Sequence, residues 1–204
     1  MFEKGHHISY ANCGLPYYIG DVIKDRNKLL VQTPESFRSR YNIDVRTRCE
    51  ATAIDTNLKT ITVRNIVTQK NYTETYDKLI LSPRASPVLP PLQGIQSPGI
   101  FTLRTVTDTD NIKAWIAAKN IKEVVVVGAG FIGLEMAENL HRLGLNVTIA
   151  ELGHHVLAPL DTPMATIVQQ HIKNHNIVFL PGKKVAGFEN VNNNIQVQFA
   201  DGTF

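Results

Sequence analysis

Two apolar runs separated by an amphipathic stretch dominate the second half of the chain. Val124-Val125-Val126-Val127 is unbroken and ends at Gly128, which reads as a strand running into a tight turn. Residues 131–143 set Ile132, Leu134, Met136, Leu140 and Leu143 among Glu and Arg at roughly helical spacing, and Gly144 supplies the stop. Residues 146–150 make the next strand, closed by Glu151. Downstream, Asp161-Thr162-Pro163 opens a helix to about residue 175, residues 177–180 form a third parallel strand, and 185–189 with 195–200 read as a β-meander that breaks off after the turn at 201–203.

The first half has a different texture. Residues 1–5 read as the end of a strand whose beginning is missing, and Thr33-Pro34-Glu35 as a capped helix start running to about residue 40. From residue 43 the pattern changes to short runs rich in Val, Ile and Thr, predicting strands at 45–47, 51–55, 60–65, 72–76 and 78–81. Residues 82–99 carry Pro83, Pro87, Pro90, Pro91, Pro98, Gly94 and Gly99, too many breakers for a regular element, and serve as the linker. A helix over about 107–118 follows.

The glycines at 128, 130 and 133 give the second half its chemistry. Gly128 permits the turn, Gly130 lacks the Cβ that keeps a phosphate away from the backbone, and Gly133 lets the helix pack closely on the strand. The helix start offers unpaired N–H groups and partial positive charge to a pyrophosphate. Glu151 is placed to accept hydrogen bonds from both ribose hydroxyls and to repel a 2′-phosphate, so the unit predicts an NAD(H) site rather than an NADP(H) one. An ordinary βαβ turn is the alternative.

Composition narrows the class. With 204 residues and 43% hydrophobic content the chain is an ordinary globular protein of one large or two small domains. No apolar run reaches spanning length and no leader pattern opens the chain, so a cytoplasmic location is expected, with no membrane partner. Of the formal charge of +3, all arises in residues 1–48, which hold eight Lys/Arg against five Asp/Glu. That is too little for nucleic acid. It surrounds Cys13, where it suits a polyanionic thiol substrate or is simply solvated surface.

The two cysteines, Cys13 and Cys49, match no zinc spacing. A thiolate is the species that attacks a disulfide, and helix starts and nearby cations favour one. Pro16 marks a short helix just after Cys13, although an inert buried thiol is the alternative. Cys49 falls in an alternating strand and reads as structural. His171 and His175, four apart on a predicted helix, lack a third ligand and read as a solvated face. His6-His7 and His154-His155 read as loops, and Trp115 as helix core.

The segment Ser9-Tyr10-Ala11-Asn12-Cys13-Gly14-Leu15-Pro16-Tyr17-Tyr18-Ile19-Gly20 resembles the active-site segment of the coenzyme A disulfide reductase group of flavin-dependent pyridine nucleotide–disulfide oxidoreductases. Phe2-Glu3-Lys4 resembles that family's flavin-ribose strand end, Tyr76 to Pro83 the strand closing its flavin domain, and Gly128 to Glu138 its nicotinamide-nucleotide motif. The resemblance implies an α/β fold: a partial FAD-binding domain with a small antiparallel insertion over 1–104, and a Rossmann-like NAD-binding domain, truncated in its meander, over 105–204.

It further implies FAD and NADH as cofactors, with Glu3, Lys4 and Ser82 toward FAD and Gly128, Gly130, Phe131, Ile132, Gly133, Glu135 and Glu151 toward NAD. Cys13 is the implied redox centre, with Ser9 and Asn12 beside it. Electrons would pass from NADH through the flavin to Cys13, held as a mixed disulfide with coenzyme A. Tyr18 stands where dithiol relatives place a second cysteine, so the mechanism is monothiol.

The implied substrate is coenzyme A disulfide or a related disulfide or polysulfide, and the complete chain is expected to be a homodimer. NADH oxidases or peroxidases, which use the cysteine as a sulfenic acid, and a non-catalytic nucleotide-binding module are the alternatives. The chain departs from the family in lacking the first flavin glycine turn, the later flavin segment and the dimerisation domain, and in carrying Arg84 where the pattern has glycine. Arg84 is expected to crowd the flavin approach or to strain the backbone if a positive φ is needed.

Overall fold

The computed structural model describes residues 1–192 and 194–204. In chain order the elements are β1 (Phe2–Glu3), β2 (Ser9–Tyr10), α1 (Leu15–Ile19), β3 (Leu30–Gln32), α2 (Pro34–Tyr41), β4 (Arg46–Thr47), β5 (Cys49–Asp55), β6 (Thr60–Asn65) and β7 (Asn71–Thr75). They continue with α3 (Val106–Lys119), β8 (Glu123–Val127), α4 (Phe131–Arg142), β9 (Asn146–Ala150), α5 (Thr162–Asn174), β10 (Val178–Leu180), β11 (Val185–Val191) and β12 (Asn194–Phe199). They form two compact units, residues 1–11 with 26–86, and residues 12–25 with 87–204.

In the first unit β1 pairs in parallel with β4, β2 is antiparallel to β3, and β5, β6 and β7 make an antiparallel sheet. Alternation places Ile61 and Val63 of β6 inside with Cys49, against Phe2, Tyr72, Tyr76 and Leu79. The two turns of this sheet are built by side chains accepting from backbone: Asp55 from Asn57 and Leu58, and Asn65 from Val67 and Thr68. The α2 start is a capping box in which Thr33 and Ser36 satisfy each other's backbone N–H groups.

The strand expected at 78–81 is not formed. Leu79 packs into the core, but Ile80 and Leu81 are 89% and 66% exposed and no described strand of the unit pairs with them. An apolar run needs a ladder partner before it is a strand.

In the second unit β8, β9 and β10 form a parallel sheet in that order. The amphipathic helices α4 and α5 bury Met136, Ala137, Leu140, Ala165 and Ile172 with Val147 and Ile149 of β9. Ile112 of α3 and Ile19 at the end of α1 complete this core, so the short helix after Cys13 is built into the same unit. The hairpin of β11 and β12 packs Phe188, Val197 and Phe199 with Ala150 in a separate apolar cluster. Residues 82–91 are irregular, as the prolines dictate, and Gln93 then makes one parallel bridge to Gly187. Trp115 is half-buried, edge-on to Phe101. Among the described residues no helix is long and apolar enough to cross a membrane.

Candidate functional site

The nucleotide motif forms at the junction of β8 and α4. Gly128 turns with φ +102°, a region that favours glycine, and its N–H donates to the Ala150 carbonyl at 2.8 Å. Gly133 cannot carry a side chain, because its Cβ would overlap the carbonyl oxygen of Gly128. That is the close helix–strand approach expected from the sequence. Gly130 has a different reason to be glycine: with φ −76° it is open to any residue, and a Cβ there would meet nothing within 4 Å. Protein packing does not require it, and the open space before the helix start is what a pyrophosphate would fill. Leu134 N donates to the Gly130 carbonyl and opens the helical ladder, so the N–H groups of Phe131 to Gly133 lie at the N-terminal start of α4.

Glu151 lies at the C-terminal end of β9, with its own N–H donating to Leu180 and its carbonyl accepting from Lys183. Its carboxylate accepts from Ala129 N at 2.6 Å through Oε2 and from Gly153 N at 2.7 Å through Oε1. A carboxylate has about four acceptor positions, so both oxygens keep capacity for ribose hydroxyls. The Leu157 N–H donates to the Ala129 carbonyl at 2.9 Å and ties the following loop to the same turn. Phe131 and Ile132, the first two residues of α4, are 65% and 59% exposed, while Glu135 one turn on is half-buried. These residues therefore fit an NAD group: a glycine cradle, a helix start, a ribose acid and an uncovered apolar pair.

Cys13 sits in the 3-10 turn Asn12–Gly14, exposed and free, with Asn12 also exposed beside it. α1 follows with Pro16 in its first turn and with Leu15, Pro16 and Ile19 buried. Cys49 is the opposite case, 4% exposed in β5 with the Tyr72 hydroxyl 3.8 Å from its sulfur. The structure thus brings Asn12 and Cys13 together in the unit that holds the nucleotide motif. Ser9 belongs to the other unit, where β2 pairs it with Gln32.

The residues expected toward the flavin lie in the first unit. Glu3, at the end of β1, accepts from Gly5 N at 2.7 Å, and its other oxygen is 3.6 Å from Arg84 Nε. Lys4 pairs with Glu50 at 2.7 Å, and Ser82 is exposed on the irregular segment. Glu3 keeps acceptor capacity for a ribose, so it fits the flavin's sugar. The backbone strain expected at Arg84 is absent, because its φ is not positive. Its side chain instead donates to the Ile8 and His7 carbonyls at 2.8 and 3.3 Å and lies 4.8 Å from the Tyr10 ring centre.

The His171 and His175 rings lie tilted to each other with centres 4.4 Å apart, and among the described residues no group of three or more potential ligands could hold a metal. Sequence reasoning missed Lys113, which grips the end of α1 from α3, and Asn139, fully buried against Gly20. Neither stands in a motif.

The profile of the pyridine nucleotide-disulphide oxidoreductase family matches residues 1–203. The chain belongs to this family. It is 37% identical over 202 residues to a coenzyme A disulfide reductase of Staphylococcus aureus (strain bovine RF122 / ET3-1), covering 99% of this chain and 44% of that protein.

Among solved structures, reduced Bacillus anthracis CoADR-RHD matches with a TM-score of 0.95 and 46% identity, over 100% of this chain and 36% of the other. The water-forming NADH oxidase from Lactobacillus brevis bound to NADH matches with a TM-score of 0.91 and 27% identity, over 100% of this chain and 45% of the other. The chain spans less than half the length of each of these relatives. The α/β, Rossmann-type fold expected from the sequence is the fold of these neighbours.

Proposed function

We propose that this chain carries the nicotinamide-nucleotide and thiol parts of a flavin-dependent, NADH-linked disulfide reductase of the coenzyme A disulfide reductase type. The observation that carries the reading is an exposed, unpaired cysteine built into the same compact unit as a fully formed dinucleotide turn. In this reading residues 1–104 belong by chain order to the flavin-binding domain and 105–204 to the NAD-binding domain, while the compact units divide the chain differently, with residues 12–25 and 87–104 packing with the second.

Gly128, Gly130 and Gly133 with the start of α4 hold the pyrophosphate, Glu151 holds the adenosine ribose and excludes a 2′-phosphate, and Phe131, Ile132 and Glu135 face the nicotinamide. Glu3, Lys4 and Ser82 serve the flavin. When bound, the two cofactors supply hydride transfer and its relay as an electron pair to sulfur.

Cys13 does the protein's own chemistry. Its thiolate attacks one sulfur of a disulfide, a mixed disulfide forms at Cys13, and one thiolate leaves and takes a proton from water. Tyr18 at the position of a second cysteine means that no internal thiol expels the adduct, so the mixed disulfide waits for an external electron pair. Asn12, adjacent to Cys13 in the same turn, is assigned to orient substrate beside the sulfur. A free exposed thiol suits a reducing, cytoplasmic setting, and the complete protein is proposed to act as a homodimer.

The test is anaerobic incubation of the protein with NADH, FAD and oxidised coenzyme A, with free coenzyme A measured over time. Thiol release that depends on NADH and disappears in Cys13→Ser supports the reading. NADH consumption that needs oxygen and releases no thiol overturns it in favour of an oxidase.

A further inference from the structure

We infer that Lys113 is a positioning residue for Cys13, holding the thiol segment on the nucleotide-binding unit by capping the far end of α1. The inference rests on the functional reading above and adds to it the part of the fold that sets the thiol's place.

α1 has only five residues, too few to persist alone. Its Tyr17 and Tyr18 carbonyls accept from backbone N–H groups of the turn that follows, Asp21 N reaching Tyr18 at 3.3 Å, and a helix C-terminus favours a cation beside them. Lys113, reaching across from α3, supplies that cation: Nζ donates to the Tyr18 carbonyl at 3.0 Å and the Ile19 carbonyl at 3.4 Å, and pairs with Asp21 at 2.5 Å. The same ammonium lies 4.7 Å from the centre of the Tyr18 ring.

A second contact fixes the helix from another side. Gly20, which ends α1, lies flush against Asn139 of α4, and a Cβ at Gly20 would overlap the Asn139 amide. Asn139 is fully buried, its Nδ2 donates to the Glu135 carbonyl at 2.8 Å, and its Oδ1 has no hydrogen-bond partner. A polar side chain at such a site is costly, and its amide forms the flat seat on which Gly20 rests. Ile19, completely buried among Ile112, Met136 and Leu140, is the apolar pin between the two polar contacts. A helix of one turn held at its C-terminal end by these three contacts transmits its position directly to the Cys13 turn that precedes it. Charge at Lys113 and absence of a side chain at Gly20 therefore act on the thiol without touching substrate.

The experiment measures three quantities on the purified protein: the rate of mixed-disulfide formation at Cys13 with oxidised coenzyme A, the rate of Cys13 alkylation by iodoacetamide, and NADH affinity. Lys113→Met is expected to slow the disulfide reaction about tenfold, because that reaction needs an aligned approach, while alkylation and NADH affinity change little. Lys113→Arg restores the cation and is expected to recover most of the rate.

A second route avoids the charge. Gly20 has φ −78°, which alanine adopts freely, so Gly20→Ala acts only through its clash with Asn139. It should slow the disulfide reaction as Lys113→Met does, and Gly20→Ala with Asn139→Ala should recover it.

Wild-type rates in both Lys113→Met and Gly20→Ala would overturn the positioning role and leave the functional reading intact. Parallel loss of the disulfide reaction and NADH binding in both variants would overturn it too, as a general effect on folding. Failure of the unmodified protein to react with oxidised coenzyme A, while its Cys13 still alkylates, would remove the functional reading itself and this inference with it.

Discussion

The carboxylate of Glu151 holds the backbone N–H of Ala129 at 2.6 Å, so the acid that closes β9 is tied directly to the glycine turn that ends β8. The residue assigned to the ribose therefore also shapes the pyrophosphate cradle. Changing Glu151 to Ala should weaken NADH binding by about 1–3 kcal/mol, the loss of a charged hydrogen-bonding partner, and Glu151→Arg should in addition relieve the bias against NADPH. Titrations of both nucleotides against the three proteins check this. Tighter NADPH than NADH binding by the unmodified chain would contradict the assignment.

The glycines at 130 and 133 should separate binding from stability. Gly133→Ala forces a Cβ into the Gly128 carbonyl and is expected to cost about 1–3 kcal/mol of folding stability, measured by urea unfolding. Gly130→Ala meets open space, so its unfolding midpoint should match the parent, whereas its NADH affinity should fall about tenfold as the Cβ takes the phosphate's place. Equal stability loss in the two variants would mean that Gly130 is there for packing.

Acid should loosen the first unit through Glu50. Hydrogen bonds from Lys4 and then Arg64 hold its carboxylate below the usual range. A carboxylate depressed on folding contributes stability that is complete above its unfolded value, about 4.3, and that is lost as pH falls through the lower folded value. The urea midpoint should therefore fall on acidification below about pH 4, and Glu50→Gln should flatten part of that limb. An identical acid limb in Glu50→Gln would remove the ion pairs from the account.

What the chain states locally was readable, and what it states across long separations was not. The path β8, turn, α4, β9, Glu151 is contiguous, and each step is fixed by an apolar run, a helical period or a glycine. Cys49 was readable as structural because strand alternation fixes which side chains turn inward. Lys113 meets the Tyr18 carbonyl across 95 residues, and nothing around either position marks the pairing. The segment at 78–81 has strand-like residues, yet a strand is a property of two segments and only one is legible in a run of side chains. Arg84 was read as crowding a flavin or straining the backbone, whereas its side chain bonds to the Ile8 and His7 carbonyls, partners some 76 residues away that no local pattern marks.

The central claim is that Cys13 is the reacting thiol, and mapping its adduct tests this most directly. The folded protein is mixed with oxidised coenzyme A and digested, and each cysteine peptide is weighed by mass spectrometry. The account predicts a single mixed disulfide at Cys13, persistent because no second thiol expels it, with Cys49 unmodified and no adduct at all in Cys13→Ser. Equal modification of Cys13 and Cys49, or an unmodified Cys13 in the folded chain, would contradict it.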